Sequence, residues 1–210
     1  MILIVDYKAG NLTSVKRALN YLDIPCQLVS TGNELRSVCA SGARRIIFPG
    51  VGHAATAMKT LKEKELDVAL REAFAGGIPI LGICLGAQIV LSHSEEGDTS
   101  CLDLIPGNCR RFQLTDRSLK IPHMGWNELL MTQSHDILKD VKRDDELYFV
   151  HSFYPQPDDA SHIFATCEYE ATFPAAIGHK NLFATQFHPE KSGRIGLTLL
   201  RNFSQWDGAD

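Results

Sequence analysis

Four short apolar runs in the first half of the chain constrain the fold more than any other feature. They span residues 2–5, 25–29, 45–48 and 78–81, and each is followed by a segment with helical periodicity. Continuous apolar strands between helices are typical of strands that are covered on both faces, as in parallel sheets with right-handed crossovers. The sequence therefore predicts an α/β fold with a mostly parallel central sheet flanked by helices.

The second half of the chain predicts short strands joined by tight turns. The predicted strands cover residues 110–114, 146–154, 162–169, 175–180 and 182–187. Their spacing indicates antiparallel strands added to the parallel core, in a flavodoxin-like arrangement, and a helix closes the chain. No repeat, low-complexity segment or long linker divides the sequence, so we predict a single domain over residues 1–210.

Composition excludes several classes of function. A 210-residue chain with 44% apolar residues can bury roughly 70% of its unfolded surface, so it needs no disulfide or metal to fold. A net charge of −4 argues against a broad nucleic-acid interface. The six cysteines form no C-x-x-C pair, which is typical of reduced thiols. The apolar start is too short for a signal peptide, and no stretch approaches the ~20 residues of a membrane span. We expect a soluble, cytoplasmic protein.

A pentapeptide, Gly82-Ile83-Cys84-Leu85-Gly86, directly follows the fourth apolar run. Glycines two residues before and after a central residue are typical of the strained strand-to-helix turn that presents a nucleophile at the end of a sheet. At the start of a predicted helix over residues 85–93, the helix dipole favours a thiolate at Cys84. The N–H of Leu85 would point toward a developing oxyanion. A buried cysteine in a glycine-rich turn is the alternative, since this pentapeptide alone is common.

A second motif, Phe187-His188-Pro189-Glu190, ends the last predicted strand. Proline biases the preceding residue toward extended geometry, and residues i and i+2 of an extended chain project to the same side. Glu190 can therefore orient His188, which gives the base and carboxylate that a cysteine nucleophile needs. A strand-end histidine bonded to the backbone is the alternative for the motif taken alone. Beside the cysteine turn, a catalytic triad is the stronger interpretation.

A third motif, Pro49-Gly50-Val51-Gly52, follows the third apolar run. Two glycines around one residue permit a positive φ and close backbone approach, so a peptide N–H here could complete an oxyanion hole. A phosphate-binding loop and a plain turn are the alternatives. The Walker pattern is excluded because no Gly-Lys-Ser/Thr sequence follows.

These three motifs, in this order and at these distances, resemble a class I (triad) glutamine amidotransferase. Two further segments, Pro122-His123-Met124-Gly125-Trp126-Asn127 and Tyr148-Phe149-Val150-His151-Ser152, resemble the glutaminase subunits of imidazole glycerol phosphate synthases. The resemblance covers about residues 6–203. The sequence departs from the family pattern at Lys8, where glycine is commoner, and at Ala87, where methionine is usual.

The resemblance implies a reaction and the residues that perform it. Cys84 would attack the side-chain amide of glutamine, with His188 as general base and then acid, and Glu190 as the carboxylate that orients it. Peptide N–H groups around Val51 and Leu85 would form the oxyanion hole. The resemblance implies neither a cofactor nor a metal.

Further residues fall on positions that hold the substrate L-glutamine in the family. They are Gly50, Gly52, Gln88, Glu96, His151 and Ser152. The carboxylate of Glu96 suits the substrate α-ammonium, although its Ser-Glu-Glu context alone would indicate a solvated helix end. We interpret His151 as a strand histidine packed beside the pocket rather than as a second base.

The resemblance also implies a partner, a (β/α)₈-barrel cyclase bound as a heterodimer. Ammonia would pass to this partner, which makes imidazole glycerol phosphate and AICAR in histidine biosynthesis. The residues placed at this interface are Pro122, His123, Met124, Gly125, Trp126, Asn127 and Tyr148. An aromatic anchor such as Trp126 fits an interface hot spot, and a core tryptophan is its alternative. No nucleic acid and no membrane is expected to bind.

Two other functions stay open from the sequence. One is a triad glutaminase, a diverged paralogue, that feeds ammonia to a different synthase. The other is a non-catalytic redox or scaffold protein of the same fold that uses Cys84 as a sensor. The His188 and Glu190 pair argues against a sensor, which would not need them.

Overall fold

Fourteen strands run through the part of the chain that the computed structural model describes, residues 1–8, 11–42, 44–116 and 118–209. They are β1 (Ile2–Val5), β2 (Cys26–Val29), β3 (Arg45–Gly50), β4 (Ile80–Cys84), β5 (Leu91–Ser94), β6 (Thr99–Ser100), β7 (Ile105–Arg111), β8 (His123–Glu128), β9 (Leu130–Met131), β10 (Glu146–His151), β11 (Phe153–Pro157), β12 (Ile163–Tyr169), β13 (Ala171–His179) and β14 (Leu182–Thr185).

Helices cover the sheet and connect its strands. The α-helices are α1 (Leu12–Tyr21), α2 (Gly32–Ala40), α3 (Ala54–Glu63), α4 (Leu66–Ala75), α5 (Leu85–Ile89) and α6 (Gly193–Gln205), and two 3₁₀-helices span Ala160–His162 and Pro189–Lys191. The start of α2 shows how sequence fixes a boundary, because the Thr31 hydroxyl accepts from the N–H of Glu34 and the Glu34 carboxylate accepts from the N–H of Ser30. In the described ranges, no helix is long and apolar enough to cross a membrane.

The central sheet has eight strands in the order β2-β1-β3-β4-β14-β13-β12-β9. Strands β2, β1, β3, β4 and β14 are parallel, and β13, β12 and β9 extend the sheet in antiparallel fashion. Strands β1, β4 and β14 are buried along their whole length, as expected for a sheet with helices on both faces. The α/β fold predicted from the sequence is confirmed.

Several predicted elements after residue 84 are wrong in detail. The helix expected over residues 85–93 ends at Ile89, and β5 follows it because residues 91–94 pair with β6 and β7. The strand expected over residues 146–154 is two strands, β10 and β11, which belong to different sheets. The strand expected at residues 110–114 lies earlier in the chain, as β7. Pairing with strands distant in sequence determines the secondary structure of these segments, and local periodicity does not reveal that pairing.

Strand order brings three loops to one edge of the central sheet. The register pairs Gly50 at the end of β3 with Cys84 at the end of β4. It also pairs Ile83 with Thr185, so the chain that leaves β14 emerges beside Cys84. Crevices at the carboxyl ends of parallel strands are the usual ligand sites of open α/β sheets. The three sequence motifs therefore meet at one place.

Candidate active site

Cys84 lies in a strained turn between β4 and α5. Its backbone has φ 56° and ψ −107°, outside the regions that non-glycine residues normally occupy. Close packing requires the glycine that follows, because a Cβ on Gly86 would lie 2.0 Å from the carbonyl oxygen of Phe48. Neither Gly82 nor Gly86 has a positive φ, so the strain is carried by Cys84 itself. As the first residue of α5, Leu85 has an N–H without an intrahelical acceptor.

The Cys84 sulfur is buried among polar groups. Its thiol lies 4.0 Å from the carbonyl oxygen of Val150, and the amide Nε2 of Gln186 donates to Sγ at 3.7 Å. Gln186 is fully buried and was not identified from the sequence, because a glutamine before Phe-His-Pro-Glu has no chemical signature of its own.

His188 and Glu190 form a buried pair. The Nδ1 atom of His188 lies 2.7 Å from Oε1 of Glu190, and both side chains are 1% exposed. Nε2 is buried and has no hydrogen-bond partner among the described residues, so it is the nitrogen left to exchange a proton. Burial lowers the pKa of His188, but the negative charges of a Cys84 thiolate and of Glu190, together with the hydrogen bond to Glu190, outweigh burial and raise the pKa above its usual value. The structure thus brings together the two side chains that the sequence pairs as base and orienting carboxylate.

Asn11 also contacts this pair. Its Nδ2 donates to Oε1 of Glu190 at 3.1 Å, and its Oδ1 accepts from the hydroxyl of Ser14. Asn11 directly precedes α1, a position from which asparagine often caps a helix, but its side chain makes no capping hydrogen bond. No local signal links residue 11 to residue 190, so sequence reasoning missed this contact.

The loop after β3 is closely packed on one side and open on the other. A Cβ on Gly50 would lie 2.1 Å from the hydroxyl oxygen of Tyr7 and 2.9 Å from Cβ of Leu85. Gly52 has φ +103° and faces open space, and Val51 between them is exposed. The Tyr7 hydroxyl is buried without a hydrogen-bond partner among the described residues. Glycine is therefore needed at position 50 because Tyr7 and Leu85 pack directly against the backbone, and at position 52 because the turn requires a positive φ.

Two of the predicted glutamine-binding residues, Gln88 and Glu96, are fixed by hydrogen bonds to the backbone. Gln88 is buried on α5, and its Nε2 donates to the carbonyl oxygen of Phe153 at 2.8 Å. Oε2 of Glu96 accepts from the N–H of Ala54 at 2.7 Å, at the start of α3. Glu96 and Phe153 line a cavity of about 790 Å³, which Arg111 also borders. The cavity therefore opens next to Gln88 and offers charged groups of both signs.

His151 is buried beside this pocket and is neutral. Nδ1 of His151 lies 2.8 Å from the carbonyl oxygen of Phe153. Nε2 of His151 lies 3.0 Å from Nδ1 of His123. Burial lowers the pKa of His151 to about 3. Such a ring is not a base poised near neutral pH, which agrees with the interpretation of His151 as a packed strand histidine.

The predicted docking residues on β8 fall on two faces. Met124 and Trp126 are 62% and 52% exposed, and the Trp126 ring packs against half-buried Tyr148 at 5.8 Å between centroids. His123 is 3% exposed, so its expected place at a surface contact is wrong: strand alternation turns it inward. Lys191, which the sequence did not single out, lies 5.7 Å from the Tyr148 ring centroid.

Other predicted interface residues are less exposed or support the backbone. Pro122 is exposed and Gly125 is half-buried. Asn127 is half-buried, and its Nδ2 donates to the carbonyl oxygen of Glu168 at 2.9 Å. Ser152 is predicted to line the pocket. Its carbonyl oxygen accepts a hydrogen bond from the N–H of Phe112 at 3.1 Å.

Comparison with known proteins agrees with the site geometry. The family described as glutamine amidotransferase class-I matches residues 3–205. An "Imidazole glycerol phosphate synthase subunit HisH" of Nitratidesulfovibrio vulgaris is 46% identical over 208 residues, 97% of this chain and 95% of that protein. A protein of the same name from Herpetosiphon aurantiacus is 42% identical, over 97% of this chain and 93% of that protein.

Solved structures agree on the fold. A crystal structure described as that of a glutamine amidotransferase superposes with a TM-score of 0.72 at 18% identity, and covers all of both chains. A structure of PurLQS from Thermotoga maritima superposes with a TM-score of 0.72 at 17% identity, over 97% of this chain and 97% of that one. The match over nearly the whole sequence establishes that this chain belongs to the class-I glutamine amidotransferase family.

Proposed function

We propose that this protein hydrolyses glutamine to glutamate and ammonia, as the glutaminase subunit of an imidazole glycerol phosphate synthase. The observation that carries the proposal is Cys84 in its strained turn beside the buried pair of His188 and Glu190. The names of relatives at 46% identity over almost the full chain support the same activity. The six cysteines are free thiols, which fits a reducing cytoplasm.

The chemistry follows from the positions of the three side chains. Nε2 of His188 takes the thiol proton as the Cys84 sulfur attacks the amide carbon of glutamine. The negative oxygen of the tetrahedral intermediate is held by peptide N–H groups, of which Leu85 at the start of α5 is one and the loop at Val51 supplies the other. His188 then gives its proton to the amide nitrogen, the carbon–nitrogen bond breaks, and ammonia leaves while the glutamyl group stays on Cys84 as a thioester.

The second half of the cycle restores the enzyme. Water attacks the thioester carbon while His188 accepts one of its protons. The carbon–sulfur bond breaks, glutamate leaves and Cys84 recovers its proton from His188. The raised pKa of His188 helps the attack on the amide, because a more basic ring takes the thiol proton more readily. Glu190 stabilises the imidazolium and fixes the ring orientation, and Asn11 holds Glu190.

Substrate recognition is assigned to the groups around the cavity. The Gln88 amide and the Glu96 carboxylate suit the α-ammonium of glutamine, and the backbone around Gly52 and Ser152 suits its carboxylate. Burial of Gln88 within hydrogen-bond reach of fixed partners supports this role, since a preorganised polar group binds without losing further side-chain entropy.

A (β/α)₈-barrel cyclase is the proposed partner, bound at the exposed face of β8. Met124 and Trp126 supply apolar area on this face, and Tyr148 and Lys191 adjoin it. Exposed aromatic anchors with a polar surround are typical of interface hot spots. Tyr148 also accepts from the N–H of His188 through its carbonyl oxygen at 2.9 Å, so this face lies next to the catalytic base. Ammonia passed there would escape protonation in bulk water.

The decisive experiment supplies nitrogen in two forms to the protein assembled with its barrel cyclase. With glutamine as the source, Cys84→Ala should abolish formation of glutamate and imidazole glycerol phosphate. With ammonium salt, the same variant should form imidazole glycerol phosphate as the wild type does. Cys101→Ala, which removes a buried thiol outside the site, should retain both reactions.

Each other outcome has a definite meaning. Absence of glutamate formation by the wild-type complex would refute the glutaminase assignment. Glutamate formation without imidazole glycerol phosphate from either nitrogen source would point to a glutaminase that serves a different synthase. Loss of the ammonium-dependent reaction in Cys84→Ala would show that Cys84 has a structural role.

A further inference from the structure

A buried chain of hydrogen bonds leads inward from β8. Nδ2 of Asn127 donates to Nε2 of His123 at 3.4 Å. Nδ1 of His123 and Nε2 of His151 are 3.0 Å apart, and Nδ1 of His151 is 2.8 Å from the carbonyl oxygen of Phe153. Since a carbonyl oxygen only accepts, His151 carries its proton on Nδ1 and accepts at Nε2. His123 must then donate from Nδ1, and every proton in this part of the chain has one possible place.

The chain continues from Phe153 to the catalytic sulfur. The same carbonyl oxygen of Phe153 accepts from Nε2 of Gln88 at 2.8 Å. Nε2 of Gln88 also donates to Oε1 of Gln186 at 3.0 Å, and Nε2 of Gln186 donates to Sγ of Cys84 at 3.7 Å. Both protons of the Gln88 amide are therefore used on fixed acceptors. Its Oε1 remains as the acceptor for a ligand.

Both histidines are held neutral by their surroundings. Phe112 and Phe173 pack within 6.4 Å of each imidazole ring, measured between centroids. Burial lowers the pKa of His123 to about 4 and that of His151 to about 3. Neither ring takes a proton at neutral pH, so the direction of the hydrogen bonds is permanent under working conditions.

We propose that His123 and His151 are positioning residues that fix the orientation of the Gln88 amide, so that its oxygen accepts from the α-ammonium of glutamine. This inference rests on the proposed function. It explains part of the specificity for glutamine by the two histidines. The two histidines touch neither the reacting amide nor the sulfur. Their effect reaches the substrate through the Phe153 carbonyl oxygen and Gln88.

The first test measures specificity in the complex with the barrel cyclase. Glutamine is compared with 4-carbamoylbutanoate, which is glutamine without its α-amino group. In His123→Phe, the KM for glutamine should rise roughly five- to tenfold, the value of one ordinary hydrogen bond, with kcat little changed. The preference for glutamine over 4-carbamoylbutanoate should fall by the same factor. His123→Asn, whose amide can donate from near the Nδ1 position, should recover most of this preference.

The matched control removes packing without touching the chain of hydrogen bonds. Phe149 is fully buried, and its ring centroid lies 5.0 Å from that of His123. Phe149→Leu should lower the melting temperature and leave the preference for glutamine unchanged. If His123→Phe alters the preference no more than Phe149→Leu does, or if His123→Asn restores nothing, the proposed positioning role is overturned.

A second test does not depend on activity. Long-range ¹H–¹⁵N NMR of the protein should show both histidines as neutral Nδ1–H tautomers from pH 6 to pH 8. An Nε2–H tautomer or a protonated ring at either position would overturn the inference, even if glutamine is hydrolysed as proposed. Conversely, the expected tautomers in a protein that hydrolyses no glutamine would support the hydrogen-bond chain and refute only the proposed function.

Discussion

Gly50→Ala should damage both the stability and the activity of the protein, because no space exists for a methyl group at this position. The added Cβ would lie 2.1 Å from the Tyr7 hydroxyl oxygen, 2.9 Å from Cβ of Leu85 and 3.2 Å from the backbone nitrogen of Gly86. Tyr7 is 1% exposed and packs on Phe48, so it cannot rotate into solvent. Either the loop after β3 or the cysteine turn must move.

The size of both effects follows from these distances. Inserting a methyl group into a closely packed interior costs about 1–3 kcal/mol. For a chain of this length, each kcal/mol lowers the melting temperature by about 2–4 °C, so the expected fall is about 2–12 °C. Displacement of a reacting group by ~1 Å costs about 10²-fold in rate, and loss of one oxyanion donor costs about 10²–10³-fold. We therefore expect glutamine hydrolysis to fall at least 10²-fold.

A second substitution tests the cause. Tyr7→Phe removes the oxygen that the new methyl group would meet, and this hydroxyl has no hydrogen-bond partner among the described residues, so its removal alone should cost little stability. The double variant Gly50→Ala/Tyr7→Phe should recover part of the stability and activity lost in Gly50→Ala. Recovery stays partial because the contact with Leu85 remains.

Two assays check these values: thermal unfolding of the isolated protein, and kcat for glutamine in the complex with the cyclase. Gly52→Ala is the comparison variant, because the residue faces open space and suffers only the strain of φ +103°. It should stay folded with a smaller loss of stability. Wild-type stability and activity in Gly50→Ala, or a double variant no better than the single one, would refute the steric argument.

The triad and the docking face give three further predictions. Cys84→Ala/His188→Ala should have nearly the same kcat/KM for glutamine as Cys84→Ala alone, because substitutions within one catalytic unit have non-additive effects. Additive losses would show that the two residues do not act together. Glu190→Gln should lower the pKa of His188. In the wild type, the charged ring stabilises the folded protein fully below its usual pKa of 6.5, and this stabilisation is lost as the pH rises through the raised pKa. If Glu190→Gln leaves the NMR titration of His188 unaltered, the assignment is contradicted. Trp126→Ala should weaken cyclase binding by at least about 1 kcal/mol without unfolding a protein in which this side chain is 52% exposed, and an unchanged Kd would place the interface elsewhere.

The parallel half of the fold could be predicted because its information is local. Strands β1 and β4 are buried along their whole length, and the apolar composition of the runs that form them predicts this burial. The same holds for the cysteine turn and for His188 with Glu190, since neighbouring residues create each geometry. The pair lies at 2.7 Å because only Pro189 separates its members.

The antiparallel half resisted prediction because its pairings are distant in sequence. Strand β8 contains no β-branched residue, and its stability comes from pairing with β10, from Glu128 opposite Glu146 to His123 opposite His151. The segment that follows α5 is apolar enough to continue a helix, and pairing with Ile105 and its neighbours makes it β5 instead. In both cases tertiary contacts override a weak local preference.

The same limit applies to the site. Asn11 and Gln186 reach Glu190 and Cys84 over 179 and 102 residues of sequence, and neither has a motif of its own. Treating the hexapeptide of residues 122–127 as one unit predicts a docking surface that includes His123. In an extended strand only alternate residues face outward, so Met124 and Trp126 are exposed and His123 is buried.

Register, more than proximity in sequence, decides whether the triad can work. Ala184 pairs with Gly82 and Thr185 with Ile83, so the two residues that follow, Gln186 and Phe187, leave the sheet beside Cys84. The period of a strand is two residues, and a slip of one would exchange the faces of all these side chains. The buried amide of Gln186, which donates to the sulfur, would then be exchanged for the ring of Phe187. Pairing of β14 on both sides, with β4 and with β13, fixes this register. The antiparallel strands that precede β14 thus contribute to catalysis by holding in place the strand that delivers the base.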